Sequence, residues 1–336
     1  MRQILRVACL ALLAALSTSA TAWGQTDFYR GKTISIVVGF APGGSYDAYA
    51  RLVARHIGRY IPGQPNVIVQ NMPGAGTMMS VRHLDANAPK DGTVMAAFTA
   101  GLITAALSEP ERFNFKFSDL AWIGSITPDF SVCYAWHTTK IKTLADAQKR
   151  STFIIGGTAK GASSAVNSTI LQQIFKVNVR YVPGYTGSAA SRLAIERGEL
   201  DGHCGAWVSV PQDWIAQSKA MAFVRFSRAR LPEMPEEAAF VGDLVQTEYE
   251  KRLLQAALAA TDLGRPYVVS KDVPAERVAV LRAAFDKTMA DQSFLEEAAK
   301  QKLPVSPIGG AESTRLIADI YAAPAEIVAG LRALLK

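Results

Sequence analysis

The stretch GFAPGGSYDAYARLVARHIG, residues 39–58, decides the fold because it joins a strand to a helix through a glycine turn. The β-branched run at residues 33–38 predicts a buried strand before the turn. After the turn, apolar side chains with helical spacing form one face: Tyr49, Leu52, Val53 and Ile57. The pattern therefore predicts a strand, a loop and an amphipathic helix.

The same order of elements returns along the chain. Strand, glycine turn and helix are predicted again over residues 67–86 and 152–175, and the alternation continues from residue 179. Alternating strands and helices indicate an α/β fold, for which we expect largely parallel sheets. The likeness of residues 36–50 to residues 154–168 predicts one helix N-terminus in each half of the chain.

The first 22 residues have the pattern of a cleavable export signal. Arg2 and Arg6 precede an apolar stretch over residues 7–16, and small residues follow up to Ala22. This stretch is shorter than the about 18 apolar residues expected of a membrane-spanning helix. We therefore predict cleavage after Ala22 and a mature protein in the periplasm.

Composition favours a globular protein. The chain has 336 residues, of which 49% are hydrophobic and 19% charged, so it can bury a sizeable core. The formal net charge of +7 comes from scattered basic residues, without the basic and aromatic patches of a nucleic-acid-binding protein. We expect a monomer that does not bind nucleic acid.

Two cysteines, Cys133 and Cys204, remain after removal of the signal. Both lie in apolar, strand-like stretches where buried free thiols are common, although export makes a disulfide chemically possible. We expect free thiols.

The first glycine turn is typical of an anion site. A helix N-terminus leaves backbone N–H groups unpaired and carries partial positive charge. Gly43 and Gly44 let the backbone approach a ligand, and Ser45 can either cap the helix or donate to the ligand. Asp47 fits nearby amides and the helix dipole, and its alternative role is to receive a ligand ammonium group.

The second turn, GGTAKGASS at residues 156–164, lacks the Gly-Lys-Ser/Thr ending of a nucleotide-binding loop. It nevertheless offers several possible hydrogen-bond donors to a ligand, namely Thr158, Lys160, Ser163, Ser164 and, one turn later, Asn167. The alternative is a purely structural role, in which the hydroxyls cap the helix and the lysine is solvated. Tyr185 and Trp207 are candidates for the wall of a pocket or for the core.

Catalytic patterns are weak. The four histidines fall in unrelated settings without metal-ligand spacing, and there is no G-x-S-x-G motif. We expect a protein that is not an enzyme and that uses no metal and no cofactor.

The motifs together resemble a family. FAPGGSYD at 40–47, VIVQNMPGAGTMMSVRHLDANAPKDGTVM at 67–95 and VRYVPGYTGSAASRLAIERGELDG at 179–202 are similar to the tripartite tricarboxylate transporter substrate-binding proteins, the Bug family of periplasmic solute receptors. The likeness implies a two-lobed periplasmic-binding-protein fold of type II, a Venus flytrap with its ligand between the lobes. We place the first lobe at residues 26–126 and 247–336 and the second at residues 127–246.

The resemblance also implies a ligand and its contacts. Such receptors close on a small carboxylate held by loop amides, hydroxyls and waters rather than by an arginine. The matching positions, with the donors and aromatics named above, give this candidate set: Phe40, Ala41, Pro42, Gly43, Gly44, Ser45, Asp47, Gly74, Ala75, Gly76, Thr99, Thr158, Lys160, Gly161, Ser163, Ser164, Asn167, Tyr185 and Trp207. Lys160 would suit a second carboxylate, whereas Trp207 would suit an aromatic acid.

The main hypothesis is a receptor that hands a small organic carboxylate to membrane permease subunits. A second hypothesis is a receptor that presents its closed form to a sensor kinase. A third is a periplasmic hydrolase, for which the sequence shows no paired base and nucleophile.

Overall fold

The computed structural model describes residues 28–113, 115–159 and 161–335. The predicted export signal and Lys160 lie outside the described residues. Within those ranges no helix combines the length and the apolar character needed to cross a membrane.

Twelve strands form two sheets in the described part of the chain. In chain order they are β1 (Thr33–Val38), β2 (Asn66–Asn71), β3 (Val94–Ala97), β4 (Ala121–Ser125), β5 (Ser131–Trp136), β6 (Phe153–Gly156), β7 (Val179–Val182), β8 (Gly202–Ala206), β9 (Ala220–Arg225), β10 (Ala239–Phe240), β11 (Pro266–Val269) and β12 (Ile308–Gly309). The first sheet has the order β12-β4-β11-β3-β1-β2 and the second β10-β9-β5-β8-β6-β7.

Helices cover the faces of both sheets. They are α1 (Ser45–Ile57), α2 (Met78–Arg82), α3 (Gly101–Ser108), α4 (Leu144–Lys149), α5 (Ser163–Gln173), α6 (Ser188–Glu196), α7 (Gln212–Ala216), α8 (Val241–Leu244), α9 (Glu248–Leu258), α10 (Ala275–Met289), α11 (Gln292–Lys300), α12 (Gly310–Tyr321) and α13 (Ala325–Leu335).

The predicted strand and helix around the first glycine turn are confirmed. Strand β1 lies between β2 and β3 and pairs in parallel with both. The predicted apolar face of α1 is buried, whereas Arg51 and Arg55 on the opposite face are exposed. Burial of that face holds the N-terminus of α1 at the edge of the sheet where β1 ends.

The expectation of largely parallel sheets is wrong, because each sheet is mixed. Strand β5 pairs antiparallel with β8 and β9, and β11 pairs antiparallel with β3 and β4. These are the strands that the chain forms on first entering the second sheet and on returning to the first. The first strand after each passage between the sheets therefore runs antiparallel to its neighbours.

The chain changes sheet twice. It leaves the first sheet after Ser125 and enters the second at Ser131, then leaves the second after Phe240 and re-enters the first at Pro266. The boundaries at 126/127 and 246/247 fall inside these connections and stay predictions. The two sheets form the two lobes of the fold.

Cys133 and Cys204 form a disulfide, so the expectation of free thiols is wrong. The antiparallel register of β5 and β8 places the two residues directly opposite each other. Separate apolar stretches gave no sign of this pairing, because only the sheet register brings them together.

Candidate functional site

A cavity lies between the two lobes and encloses about 610 Å³, counting the part open to solvent. The loops that follow β1, β3 and β4 line it from the first sheet, and the elements around β6, α6 and β8 line it from the second. Its described lining residues are Phe40, Gly44, Ser45, Tyr46, Thr99, Asp129, Gly157, Thr158, Ala162, Ser163, Ser164, Gly187, Ser188, Ser191, His203, Cys204, Gly205, Ala206 and Ser209.

Three of the described helices begin at this cavity. The N-termini of α1, α5 and α6 follow Gly44, Ala162 and Gly187, and none of these residues caps its helix with a side-chain hydrogen bond. Serines occupy the first position of each helix and line the cavity. First-turn amides and three positive helix ends therefore face the same space, which favours an anion.

A buried arginine lies behind the N-terminus of α1. Arg265 is 1% exposed and donates from Nη1 to Asp129 Oδ1 at 3.0 Å. Its Nη2 donates to Ser45 Oγ at 3.0 Å, and its guanidinium lies 4.2 Å from the ring centroid of Tyr46. The positive charge thus reaches the cavity through a serine rather than by direct contact.

Ser45 is left with a proton for a ligand. Its oxygen accepts from Arg265 and also from Ser209 Oγ at 2.8 Å. A hydroxyl has two acceptor positions and one donor. With both acceptor positions taken, the Ser45 hydroxyl can only donate.

Other cavity hydroxyls divide into paired and unpaired groups. Thr99 Oγ1 and Ser163 Oγ share a hydrogen bond at 2.8 Å. Thr158 Oγ1 and Ser191 Oγ are buried without a hydrogen-bond partner among the described residues. A buried hydroxyl without a partner is costly, so these two groups mark positions where a ligand atom would be stabilising.

His203 is a neutral side chain in the cavity wall. Its Nδ1 lies 2.8 Å from the carbonyl oxygen of Gly156. Burial lowers the pKa of His203 to about 4; the hydrogen bond to Gly156 opposes this shift and the nearby charge of Arg192 adds to it. At neutral pH the imidazole is therefore uncharged.

Hydrogen bonds link the two lobes around the cavity. Ala41 N donates to Thr186 O at 3.2 Å, and Ser209 Oγ donates to Ser45 Oγ at 2.8 Å. Arg192 Nη2 also reaches the carbonyl of Gly43, at 3.5 Å. The structure thus has the two lobes in contact around the candidate site.

Comparison with curated proteins identifies relatives of one type, although no family model matches the chain. A UPF0065 protein from the ttuE-ttuC' intergenic region of Agrobacterium vitis is 27% identical over 215 residues, 62% of this chain and 61% of that protein. The match thus covers less than two thirds of that relative. A UPF0065 protein of Pseudomonas sp. strain P51 is 25% identical over 317 residues, 93% of this chain and 89% of that protein.

Solved structures share the whole fold. The periplasmic binding protein BugD superimposes with a TM-score of 0.74 at 18% identity, covering 91% of this chain and 98% of that one. The resemblance to the Bug family is confirmed. MatC from Rhodopseudomonas palustris, solved with bound malate, has a TM-score of 0.68 at 19% identity over 91% of this chain and 99% of that one.

The periplasmic-binding-protein fold brings only part of the predicted candidate set together. Seven members line the cavity, namely Phe40, Gly44, Ser45, Thr99, Thr158, Ser163 and Ser164. Other members do not line it, namely Ala41, Pro42, Gly43, Asp47, Gly74, Ala75, Gly76, Gly161, Asn167, Tyr185 and Trp207. Their ligand contacts stay predictions.

Asp47 binds nearby backbone and side-chain donors, which is the structural role that the sequence suggested for it. It accepts hydrogen bonds from Gly43 N at 3.1 Å, from Arg51 Nε and from Asn71 Nδ2 at 2.9 Å. Burial alone would raise the pKa of Asp47, but these hydrogen bonds lower it. The carboxylate therefore holds the glycine turn in place through hydrogen bonds and does not line the cavity.

Three other candidates pack or bond elsewhere. Trp207 is 1% exposed and packs edge-on against Tyr134, with ring centroids 6.4 Å apart. Asn167 donates to Ser131 Oγ at 2.7 Å beside a second, smaller cavity. Tyr185 is half-buried and packs against the backbone of Gly156.

Sequence reasoning missed the polar residues that depend on the folded arrangement. They are Asp129, Ser188, Ser191, His203, Ser209 and, behind the wall, Arg265. Ser188 carried a usable signal, because it follows a Tyr-x-Gly turn and begins a predicted helix. Arg265 carried none, since it lies far along the chain from Ser45.

Proposed function

We propose that this protein is a non-enzymatic periplasmic receptor that binds a small organic carboxylate and delivers it to membrane permease subunits. The observation that carries the proposal is the meeting of the α1, α5 and α6 N-termini at one cavity. Partial positive charge from three helix ends attracts a carboxylate without a cationic side chain in contact.

The hydroxyls support the same ligand class. Ser45 has only its proton to offer, and Thr158 and Ser191 have unpartnered oxygens at the cavity. A carboxylate has two oxygens that accept several hydrogen bonds. Malate in MatC and adipate in another Rhodopseudomonas palustris protein of this fold, solved with a TM-score of 0.70, belong to this chemical class.

Cys204, the one thiol among the described lining residues, is not available as a nucleophile because it is in a disulfide with Cys133. This pairing favours a receptor over a periplasmic hydrolase that attacks through a thiol.

Thermal unfolding with a panel of carboxylates tests the binding step. Protein freed of co-purified ligand is melted with each acid at about 100 times its dissociation constant, where binding adds about 2.7 kcal/mol to the free energy of unfolding. A rise in melting temperature of several degrees with at least one acid supports the proposal. No shift with any acid would contradict it.

Recovery of a membrane partner tests delivery. The tagged protein, loaded with the acid that shifts its melting temperature, is mixed with detergent-solubilised membranes of its own host. Retention of permease subunits supports the transport role. Retention of a sensor kinase alone would contradict it.

A further inference from the structure

His203 presents a hydrogen-bond acceptor to a cavity whose other polar groups are mainly donors. Its Nδ1 lies 2.8 Å from the Gly156 carbonyl oxygen, which can only accept. Nδ1 therefore carries the proton of the neutral imidazole. Nε2 is then left with a lone pair and no proton.

The residue at position 205 allows the imidazole to take this position in the cavity wall. A Cβ atom on Gly205 would lie 2.6 Å from His203 Nε2 and 2.9 Å from its Cδ2. Such contacts would force the imidazole to move. The missing side chain of Gly205 therefore leaves room for the imidazole, and both residues line the cavity.

The charges around the cavity favour a neutral donor at this acceptor. Asp129 is the only acidic side chain among the described lining residues, and Arg265 already pairs with it. Three helix N-termini and the charge of Arg192 oppose a ligand cation. An ammonium group would thus find no free carboxylate, whereas a hydroxyl needs only a lone pair.

We propose that the ligand is a small hydroxy acid whose carboxylate lies at the helix N-termini and whose hydroxyl donates a hydrogen bond to His203 Nε2. His203 is then a specificity-determining residue that separates hydroxy acids from the corresponding plain acids. This inference rests on the proposed carboxylate-binding function.

Calorimetry with matched acids tests the proposal. The pairs malate and succinate, lactate and propionate, and 2-hydroxyglutarate and glutarate each differ by one hydroxyl, and aspartate and alanine replace that hydroxyl with an ammonium group. Native protein is expected to bind the hydroxy member of its best pair roughly 3- to 10-fold more tightly than the plain member. His203→Leu is expected to remove this preference and to keep binding of the plain acid.

Two further variants separate the acceptor from the fold. His203→Gln keeps an acceptor oxygen near the position of Nε2 and is expected to retain part of the preference. Gly205→Ala keeps the histidine but displaces its ring, so it should lose the preference as His203→Leu does. His137→Leu, at an exposed histidine, is the matched control and should change nothing.

The outcomes distinguish this inference from the proposed function. Equal affinity of native protein for both members of its best pair, or tighter binding of the amino acid, overturns the hydroxy-acid proposal while carboxylate binding stands. An unchanged preference in His203→Leu overturns the role of His203. Absence of binding by all the acids refutes the proposed function and this inference with it.

Discussion

Arg265 Nη2 donates a hydrogen bond of 3.0 Å to Ser45 Oγ from a position that is 1% exposed. The guanidinium is fully charged at any physiological pH. It therefore acts on the cavity through the serine at the first position of α1. The family resemblance implied carboxylate binding without an arginine in contact, and this buried arginine is consistent with that implication while still supplying charge.

Arg265→Met should destabilise the protein strongly. It leaves Asp129 buried without its ion-pair partner, a change that typically costs about 3–5 kcal/mol. Urea unfolding measures this loss. The double variant Arg265→Met with Asp129→Asn should recover much of the stability but not the affinity for carboxylate. Full recovery of affinity in the double variant would show that the charge of Arg265 plays no part in binding.

Ser191→Ala should lower carboxylate affinity without lowering the stability of the ligand-free protein. Ser191 Oγ has no partner in the described structure, so its removal loses no internal hydrogen bond. We expect affinity to fall roughly 3- to 10-fold by calorimetry. Ser313→Ala is the matched control, because Ser313 is also buried and unpartnered but lies on α12 away from the cavity. Equal effects of the two variants would argue against a ligand contact at Ser191.

Reduction of the Cys133–Cys204 disulfide should destabilise the protein. The two residues are 71 positions apart, and closure of a loop of that length is worth about 4 kcal/mol in the chain-entropy model. Urea unfolding with and without reductant measures the difference, and intact mass should rise by the two hydrogens of the thiols. Cys133→Ser with Cys204→Ser should unfold at the same urea concentration as the reduced protein. Native protein whose unfolding does not respond to reductant would contradict the expectation.

Acid should destabilise the protein through His203. Its pKa is about 4 in the folded protein against 6.5 for the unperturbed side chain, so the unfolded chain binds the proton first as pH falls. The stability contributed by the neutral imidazole is therefore present above pH 6.5 and is lost between pH 6.5 and 4. The unfolding free energy of native protein should therefore fall relative to that of His203→Leu as pH decreases over that range. A difference that stays constant with pH would contradict the assigned protonation state.

Periodicity was sufficient for the local elements. The apolar face of α1 and the β-branched run of β1 are strong signals because burial selects them residue by residue. The directions of β5 and β11 were not predictable in this way. They depend on where the chain passes from one sheet to the other, and no local pattern marks that passage.

The candidate site was predictable where the residues of a sequence motif also line the cavity. Ser45 and Ser163 follow glycine turns at helix starts, so the signal and the contact coincide. His203 lies in β8 and Asp129 in the connection after β4, so neither begins a helix after a glycine turn, which is the signal that marks Ser45 and Ser163. Gly76 belongs to a clear motif, yet the described cavity wall does not include it.

The helices that meet at the cavity are attached to different sheets: α1 follows β1 of the first sheet, whereas α5 and α6 follow strands of the second. An anion that bridges them adds its attraction only to the arrangement in which the lobes are together, and so shifts the population toward it. Release then requires the lobes to part. The residence time of the ligand should accordingly report the rate of a hinge motion more than the strength of any single contact.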